Sequence, residues 1–467
     1  MPRDRLLYRL IAICILGIPS LACAAEAKRP NVLFLFSDDQ RYDTIHALGN
    51  EQIKTPNLDR LFEAGFVFTN TYCNGSSCPA VCYPSRAMVN SGRSLWRAPL
   101  NLEGVATWPE TLKNAGYATF GTGKWHNGSA SFARGFTHGG AIFFGGMSDH
   151  LKVPIFDFDP TGKYPRRNRD IGKKFSSELF ADAAVDFLGN LPDGKPFYAY
   201  VAFTAPHDPR MPPEEYRKMY DPAKLPLPKN FLPEHPFDNG EMRIRDEALA
   251  PWPRTPETVR RHIAEYYGMI THMDAQIGRI LEALDRSGRA DNTIILFSSD
   301  HGLSVGRHGL MGKQNLYEHG MRPPLVFTGP GIPKGSSNTL VYLYDLFPTV
   351  CDLTGVPIPD SVEGRSLLPV MLGRKEQVRD WVFGAYRHVQ RMIREPRWKL
   401  IEYNVKGVKT RQLFDLDNDP HEMNNLVDEP ASAKTVSRLE TLLQRVLKEA
   451  GDPVDFQADR PGPAKRP

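Results

Sequence analysis

The sequence predicts an α/β fold, with a large, mostly parallel central sheet flanked by helices and a smaller C-terminal α+β subdomain. Three observations predict it. Short β-rich runs alternate with helical patterns over most of the chain, as in a sheet covered by helices. Several of these runs are apolar at nearly every position, the mark of strands buried on both faces. After about residue 373 the pattern changes to short antiparallel-type strands and one closing helix.

Residues 1–24 read as an export signal. Arg3, Arg5 and Arg9 make a basic start, residues 10–18 a short apolar run, and Ala22-Cys23-Ala24 a small-residue cleavage site. The run is too short to cross a bilayer, and no later stretch is apolar for long enough. The mature protein is therefore expected outside the cytoplasm, in the periplasm or secreted, without a transmembrane segment. A lipoprotein form through Cys23 is the weaker reading, because Ser20 fits poorly three places upstream.

Residues 29–373 form the main body. Residues 31–36 give the first buried strand, 118–120 a shorter one, 197–203 the next. Residues 210–260, rich in proline and charge, read as an ordered surface excursion. Residues 263–285 are helical, with Tyr266, Met269, Ile270, Met273, Ile277, Ile280, Leu281 and Leu284 at helical spacing. His272 within it reads as a helix-face residue, not a ligand. Strands follow at 293–297 and 325–327. Residues 374–453 form the subdomain, with strands at 381–386, 391–395, 399–403 and 411–416. Its helix puts Val436, Leu439, Leu442, Leu443, Val446 and Leu447 on one face. Residues 454–467 are expected to be a tail without fixed structure.

The chain has 467 residues, 41% hydrophobic and 24% charged, which places it among ordinary globular proteins. A formal net charge of +4 gives no reason to invoke nucleic acid at this length. Removing the signal takes Cys14 and Cys23 and leaves Cys73, Cys78, Cys82 and Cys351. Cys73 and Cys78 could bridge a small loop in an oxidising compartment. Cys351, among Leu346, Phe347, Val350 and Leu353, reads as core.

Chemistry gathers after the strands, where open α/β sheets bind ligands. Asp38 and Asp39 follow the first run, His207 the run at 197–203, and Asp300 and His301 the run at 293–297. Three carboxylates supply the hard oxygen ligands that Ca²⁺ or Mg²⁺ requires. On chemistry alone His301 is an acid/base group or a support to the ligands. Cys82-Tyr83-Pro84-Ser85-Arg86, continuing to Ser91-Gly92-Arg93, puts a thiol on a turn entering a helix, with an arginine one turn along. Such a place attracts anions and lowers a thiol pKa. A redox or a structural cysteine would read the same way.

Cys-x-Pro-Ser-Arg with a following Gly-Arg resembles the signature of the type I sulfatases, of alkaline phosphatase-like fold. The resemblance spans nearly the whole mature chain. Residues 116–126, ending in Lys124-Trp125-His126, are similar to the family's second signature. Pro206-His207 resembles its sulfate-binding histidine, Ser299-Asp300-His301-Gly302 the second half of its metal site, and Lys313, before Tyr317-Glu318-His319, its late lysine. Residues 413–420 are similar to its C-terminal signature. Asn90 and Ser91 depart from the usual Leu and Thr.

The resemblance implies a sulfuric ester hydrolase whose Cys82 is converted to formylglycine by a formylglycine-generating enzyme. It implies one Ca²⁺, or Mg²⁺, held by Asp38, Asp39, Asp300, His301 and residue 82. Lys124, Lys313 and His207 would offset charge on the sulfuryl group, and Lys313 or His207 would protonate the leaving alcohol. Arg86 would hold the nucleophile. His126 would take the proton that expels sulfate. Export and a loop-lined surface favour a sulfated polysaccharide or oligosaccharide as substrate, with 29–373 the catalytic domain. Aryl or choline sulfates, phosphate or phosphonate esters, and non-catalytic binding of sulfated glycans are the alternatives. Trp96, Arg97, residues 143–150, Arg166, Arg167 and Arg169 are candidates for sugar subsites, and His308 and His319 for substrate contacts.

Overall fold

A computed structural model describes residues 29–191 and 194–458. The expected export signal, with Cys14 and Cys23, lies outside the described residues.

In chain order the strands are β1 (Asn31–Ser37), β2 (Phe66–Tyr72), β3 (Gly75–Ser76), β4 (Ala118–Lys124), β5 (His138–Phe143), β6 (Pro154–Ile155), β7 (Asp170–Ile171) and β8 (Phe197–Ala202). They continue as β9 (Thr293–Ser299), β10 (Leu325–Thr328), β11 (Gly335–Tyr342), β12 (Val382–Tyr386), β13 (Gln390–Arg394), β14 (Trp398–Val405) and β15 (Val408–Asp415). Eight of them make the central sheet in the order β11-β2-β10-β9-β1-β8-β4-β5. Only β10 among them runs antiparallel to its neighbours.

β1 shows why the apolar runs became central strands. All seven of its residues are buried. Val32, Phe34 and Phe36 enter the core on one face, while Leu33 and Leu35 enter the core on the other. Each such side chain contributes about 1.5–3 kcal/mol of burial. The Leu33 face is covered by the long helix Pro256–Arg286, packed against the helix Ser176–Gly189. Pro256 opens the long helix, and the Thr255 hydroxyl accepts from Thr258 N to cap it. His272 is buried on that helix, with Nε2 3.3 Å from a Glu178 oxygen.

The smaller sheet has the order β15-β14-β13-β12-β3. Its last member comes from the body, a few residues before Cys82. Gly75 makes that pairing possible: its φ is +94°, and a Cβ there would lie 1.9 Å from the Ala385 carbonyl oxygen. The helix Ala433–Ala450 closes this sheet with Val436, Leu439, Leu443, Val446 and Leu447 buried. The start of the expected tail is instead packed. Phe456 is buried, and the Asn404 amide donates to the carbonyls of Phe456 and Ala458, because β14 leaves that side-chain donor facing the returning chain. The four described cysteines are free. Cys73 does not bridge to Cys78: its sulfur packs 3.8 Å from that of Met321. Cys351 is fully buried, in the helix Leu346–Thr354.

Candidate active site

β9, β1, β8 and β4 are consecutive neighbours, mutually parallel, so their carboxyl ends open at one edge. Register sets them level: Ser37 is opposite Ser299, and Ala202 is opposite both Phe36 and Gly123. The residues just beyond are Asp38-Asp39, Asp300-His301, the turn bearing His207, and Lys124 as the last residue of β4. Asp39 adopts φ +67° and His126 φ +69°, conformations that turn each side chain out of its strand direction. The Asp39 amide donates to Asp300 Oδ1 at 3.1 Å, and Tyr266 OH donates to the Asp39 carbonyl at 2.6 Å.

The helix Cys82–Ser91 enters this edge with Cys82 at its first position and every residue except Tyr83 buried. Ser85 Oγ donates to the Asp300 carbonyl at 2.6 Å. Arg86 Nε donates to Asp300 Oδ2 at 3.1 Å and Nη1 to the Lys124 carbonyl at 2.8 Å, while Nη2 lies 3.7 Å from Asp38 Oδ1. Lys124 Nζ donates to Asp38 Oδ2 at 2.5 Å. Lys313 Nζ donates to both Asp39 oxygens and stands 3.4 Å from Cys82 Sγ. His301 Nε2 is 3.2 Å from Asp39 Oδ1 and 3.6 Å from Asp300 Oδ1, and His207 Nε2 is 3.8 Å from Asp39 Oδ2. Ligand atoms of Asp38, Cys82, Asp300 and His301 lie within 4.8 Å of one another, as do those of Asp38, Asp39, Cys82 and His207.

Electrostatics follow from this crowding. Burial would raise the Cys82 thiol pKa, but Lys124, Lys313 and contacts with His207 and His301 hold it well below its ordinary value. Burial opposes charge on His207 and His301 too, yet the carboxylates raise both to about 9. Burial and the proximity of Asp38 push Asp300 up. His126 goes the other way: burial and Lys124 lower it to about 3, so its ring is neutral. The carboxylate pocket thus attracts positive charge, while His126 beside it repels a proton.

A family model described as Sulfatase matches residues 30–356, and one described as N-sulphoglucosamine sulphohydrolase, C-terminal, matches residues 306–449. The chain belongs to the sulfatase family. It is a sulfuric ester hydrolase. It is 30% identical to an arylsulfatase of Clostridium perfringens, over 90% of this chain and 94% of that one. It is 27% identical to an N-acetylglucosamine-6-O-sulfatase of Bacteroides thetaiotaomicron, over 91% and 88%. A protein crystallised with its substrate D-glucosamine-2-N,6-O-disulfate superposes at a TM-score of 0.77, with 26% identity, covering 91% of this chain and 99% of that one. The family generally uses a metal ion and formylglycine, and this sulfatase presents acidic residues that can hold such an ion.

The candidate subsites part company in space. Cys82, His126, His207 and Lys313 open on a cavity of about 380 Å³, whose wall includes Gly146 and Met147. His150, from the same loop, is buried behind it and bonds the His207 carbonyl at 2.9 Å. Trp96 stacks on Phe383, and Arg97 lines a separate cavity with Glu363. Arg166, Arg167 and Arg169 do not line the Cys82 cavity. His308 and His319 are core: both rings stack on Tyr317, and His308 Nε2 bonds the Glu422 carbonyl. Sequence reasoning missed Ile244, Arg245, Asp246, Gln314 and Tyr386, which with Pro79 and Ala80 complete the wall. Arg245 bonds both oxygens of Asp208, the residue after His207. Tyr386 ends β12 and the others come from loops without a motif, and no sequence signal marked them as cavity wall.

Proposed function

We propose that this sulfatase removes sulfate from a sulfated carbohydrate, with residue 82 as nucleophile after conversion of Cys82 to formylglycine. The convergence of Asp38, Asp39, Asp300, His301, Lys124 and Lys313 on Cys82 carries the reading. The relatives acting on N-acetylglucosamine-6-sulfate and on a disulfated glucosamine support a sugar substrate. An aryl sulfate is the second reading, favoured by the apolar part of the wall, Pro79, Ala80, Met147 and Ile244.

A divalent cation fits the donor set. Asp38 Oδ1 and His301 Nε2 are buried and have no hydrogen-bond partner. Hard carboxylate oxygens favour Ca²⁺, with Mg²⁺ the alternative, one ion per chain, held by Asp38, Asp39, Asp300, His301 and residue 82. An ion held there would supply Lewis-acid polarisation of a sulfate oxygen. Formylglycine supplies, as its hydrate, the hydroxyl that attacks sulfur.

The chain's own groups do the rest. Lys124 and Lys313 offset charge on the sulfuryl oxygens. His207 Nδ1 donates to the Asp208 carbonyl at 2.8 Å, which leaves Nε2 facing the site to meet the leaving-group oxygen. Arg86 holds Asp300 and Asp38 in place. His126 is neutral, and its Nδ1 is buried without a partner, so it can accept the proton whose removal releases sulfate.

Maturation requires a formylglycine-generating enzyme. Residues 1–24 direct export, and no described helix is long and apolar enough to cross a membrane. Peptide mass spectrometry of protein made with that enzyme tests the reading. A Cys82 peptide lighter by about 18 Da, with Ca²⁺-dependent release of sulfate from glucosamine 6-sulfate, is expected. An unmodified thiol beside a converted control would remove the nucleophile and leave a glycan-binding protein.

A further inference from the structure

Residues 151–174 carry seven lysines and arginines against three aspartates, an excess equal to the formal net charge of +4 of the whole chain. Lys152, Lys163, Arg166, Arg167, Arg169 and Lys173 are exposed, and none forms an ion pair with another described residue. Only Lys174 is paired, to Asp182. Two of the three aspartates accept hydrogen bonds from nearby backbone N–H groups while remaining accessible to solvent. Asp159 accepts from Thr161 N and Tyr164 N, and Asp170 from Ile171 N. By contrast, the exposed Glu214 pairs with both Arg217 and Lys218.

The segment is a folded lobe. Phe156 exchanges both backbone hydrogen bonds with Ile142, at 2.8 and 2.9 Å, and Gly172 N donates to the Val153 carbonyl. Phe144, Phe156 and Tyr164 form its small core, with ring centroids 4.9 to 6.0 Å apart. Its base is fastened to the candidate active site at two points. At one, His150 Nε2 bonds the His207 carbonyl at 2.9 Å, and Ser176 N ties the far end of the segment back to the His150 carbonyl. At the other, Gly146 lies flat on the His126 ring, where a Cβ would come within 2.7 Å of Nε2. The segment that leads into the positive lobe is therefore held to two histidines of the Cys82 cavity, whose wall includes Gly146 and Met147.

We infer that the lobe 151–174 is a docking surface for the anionic chain of a sulfated polysaccharide that presents one of its sulfate esters to Cys82. This rests on the carbohydrate reading above. Unpaired arginines suit the partner, since each guanidinium can take a sulfate oxygen pair in its fork. Screening limits the reach of each charge to about 8 Å at physiological salt, and none of these lysines and arginines lines the Cys82 cavity, so the lobe should act on a chain lying across it more than on a small ester. Its effect should consequently depend on substrate length.

The test begins with full-length protein in the Cys82 thiol form, titrated with dextran sulfate, neutral dextran and duplex DNA in 0.15 M NaCl. Dextran sulfate should bind, neutral dextran should not, and DNA should bind at least tenfold more weakly. The triple substitution R166S/R167S/R169S should weaken dextran sulfate binding tenfold or more. It should also flatten the dependence of log Kd on log salt by roughly one unit per arginine removed. Lys163→Ser with Lys173→Ser gives a second variant that leaves the arginine turn intact, and it should shift both quantities in the same direction. In converted enzyme, the ratio of KM for a long sulfated chain to KM for 4-nitrophenyl sulfate should rise about tenfold in either variant. Unchanged binding in both variants, or duplex DNA binding as tightly as dextran sulfate, overturns the inference. Failure of the carbohydrate reading would look different: dextran sulfate would bind as expected, but no sulfated sugar would be turned over.

Discussion

Lys313 holds the two carboxylate oxygens of Asp39 at 2.8 and 3.0 Å and places the same ammonium 3.4 Å from the Cys82 sulfur. One buried cation thus serves two anionic positions brought together from far apart in sequence. Replacing it with an apolar isostere, Lys313→Met, leaves Asp39 buried without its partner and takes positive charge from the sulfuryl site. We expect kcat/KM to fall by roughly a hundredfold or more. Conversion of Cys82, read by peptide mass, should be unaffected. Steady-state kinetics on 4-nitrophenyl sulfate decides it, and retention of more than a tenth of the activity would take Lys313 out of the site.

Metal should matter to stability as well as rate. A cation bound only by the folded protein adds about 2.7 kcal/mol at a hundredfold excess over its Kd. Thermal melting should therefore rise with added CaCl₂ and fall after EDTA. Asp300→Asn should abolish that difference, because Asp300 is both a proposed ligand and the anchor of Arg86. A melting temperature indifferent to both additions would count against a structural cation at Asp38, Asp39, Asp300 and His301.

Gly146 tests the placement of His126. Its φ is not unusual, so the case for glycine is contact alone: an alanine methyl would meet Nε2 at 2.7 Å and the adjoining ring carbon at 2.9 Å. The His126 ring is stacked on Tyr83 on another side, at 5.0 Å between centroids, and must move away from one of them. Gly146→Ala should lower kcat about tenfold or more with little change in melting temperature. A variant as active as its parent would show that the ring's position is not critical.

How far the sequence was legible depends on burial. β1, β8 and β9 announced themselves because both faces of each meet a core, so nearly every position in their middles is apolar. β2, β5 and β11 did not: Thr69 and Asn70 interrupt β2, a histidine and two glycines open β5, and the first half of β11 is polar along the sheet edge. The motif residues were legible as a set, and the strand order brings them together. What could not be read was pairing. Nothing local to Lys313 names Asp39, and nothing in Ile244-Arg245-Asp246 marks it as cavity wall. The first contact comes from the loop after β9 returning over the strand ends and the second from the 210–260 excursion doing the same, which periodicity does not encode.

Asp274 offers a pH-dependent check away from the cavity. Thr55 precedes the helix Pro56–Ala64 but makes no side-chain cap. Asp274, on the long helix, does that work from across the interface, accepting from Leu58 N at 2.7 Å and Asn57 N at 3.1 Å. Burial raises its pKa to about 6 although these donors pull the other way. Between about pH 4 and 6 the folded state therefore holds a proton that the unfolded state has lost. Stability from this group is complete at pH values below that window and declines as pH rises through it. A shift of some two units corresponds to roughly 3 kcal/mol at neutral pH. Asp274→Asn keeps an acceptor for the cap and has nothing to titrate. Urea unfolding of parent and variant at pH 4, 5, 6 and 7 should show the variant gaining steadily on its parent up to about pH 6 and then holding level. A difference independent of pH, or one that shrinks as pH rises, would mean that the carboxylate is stabilised in place and that capping outweighs burial.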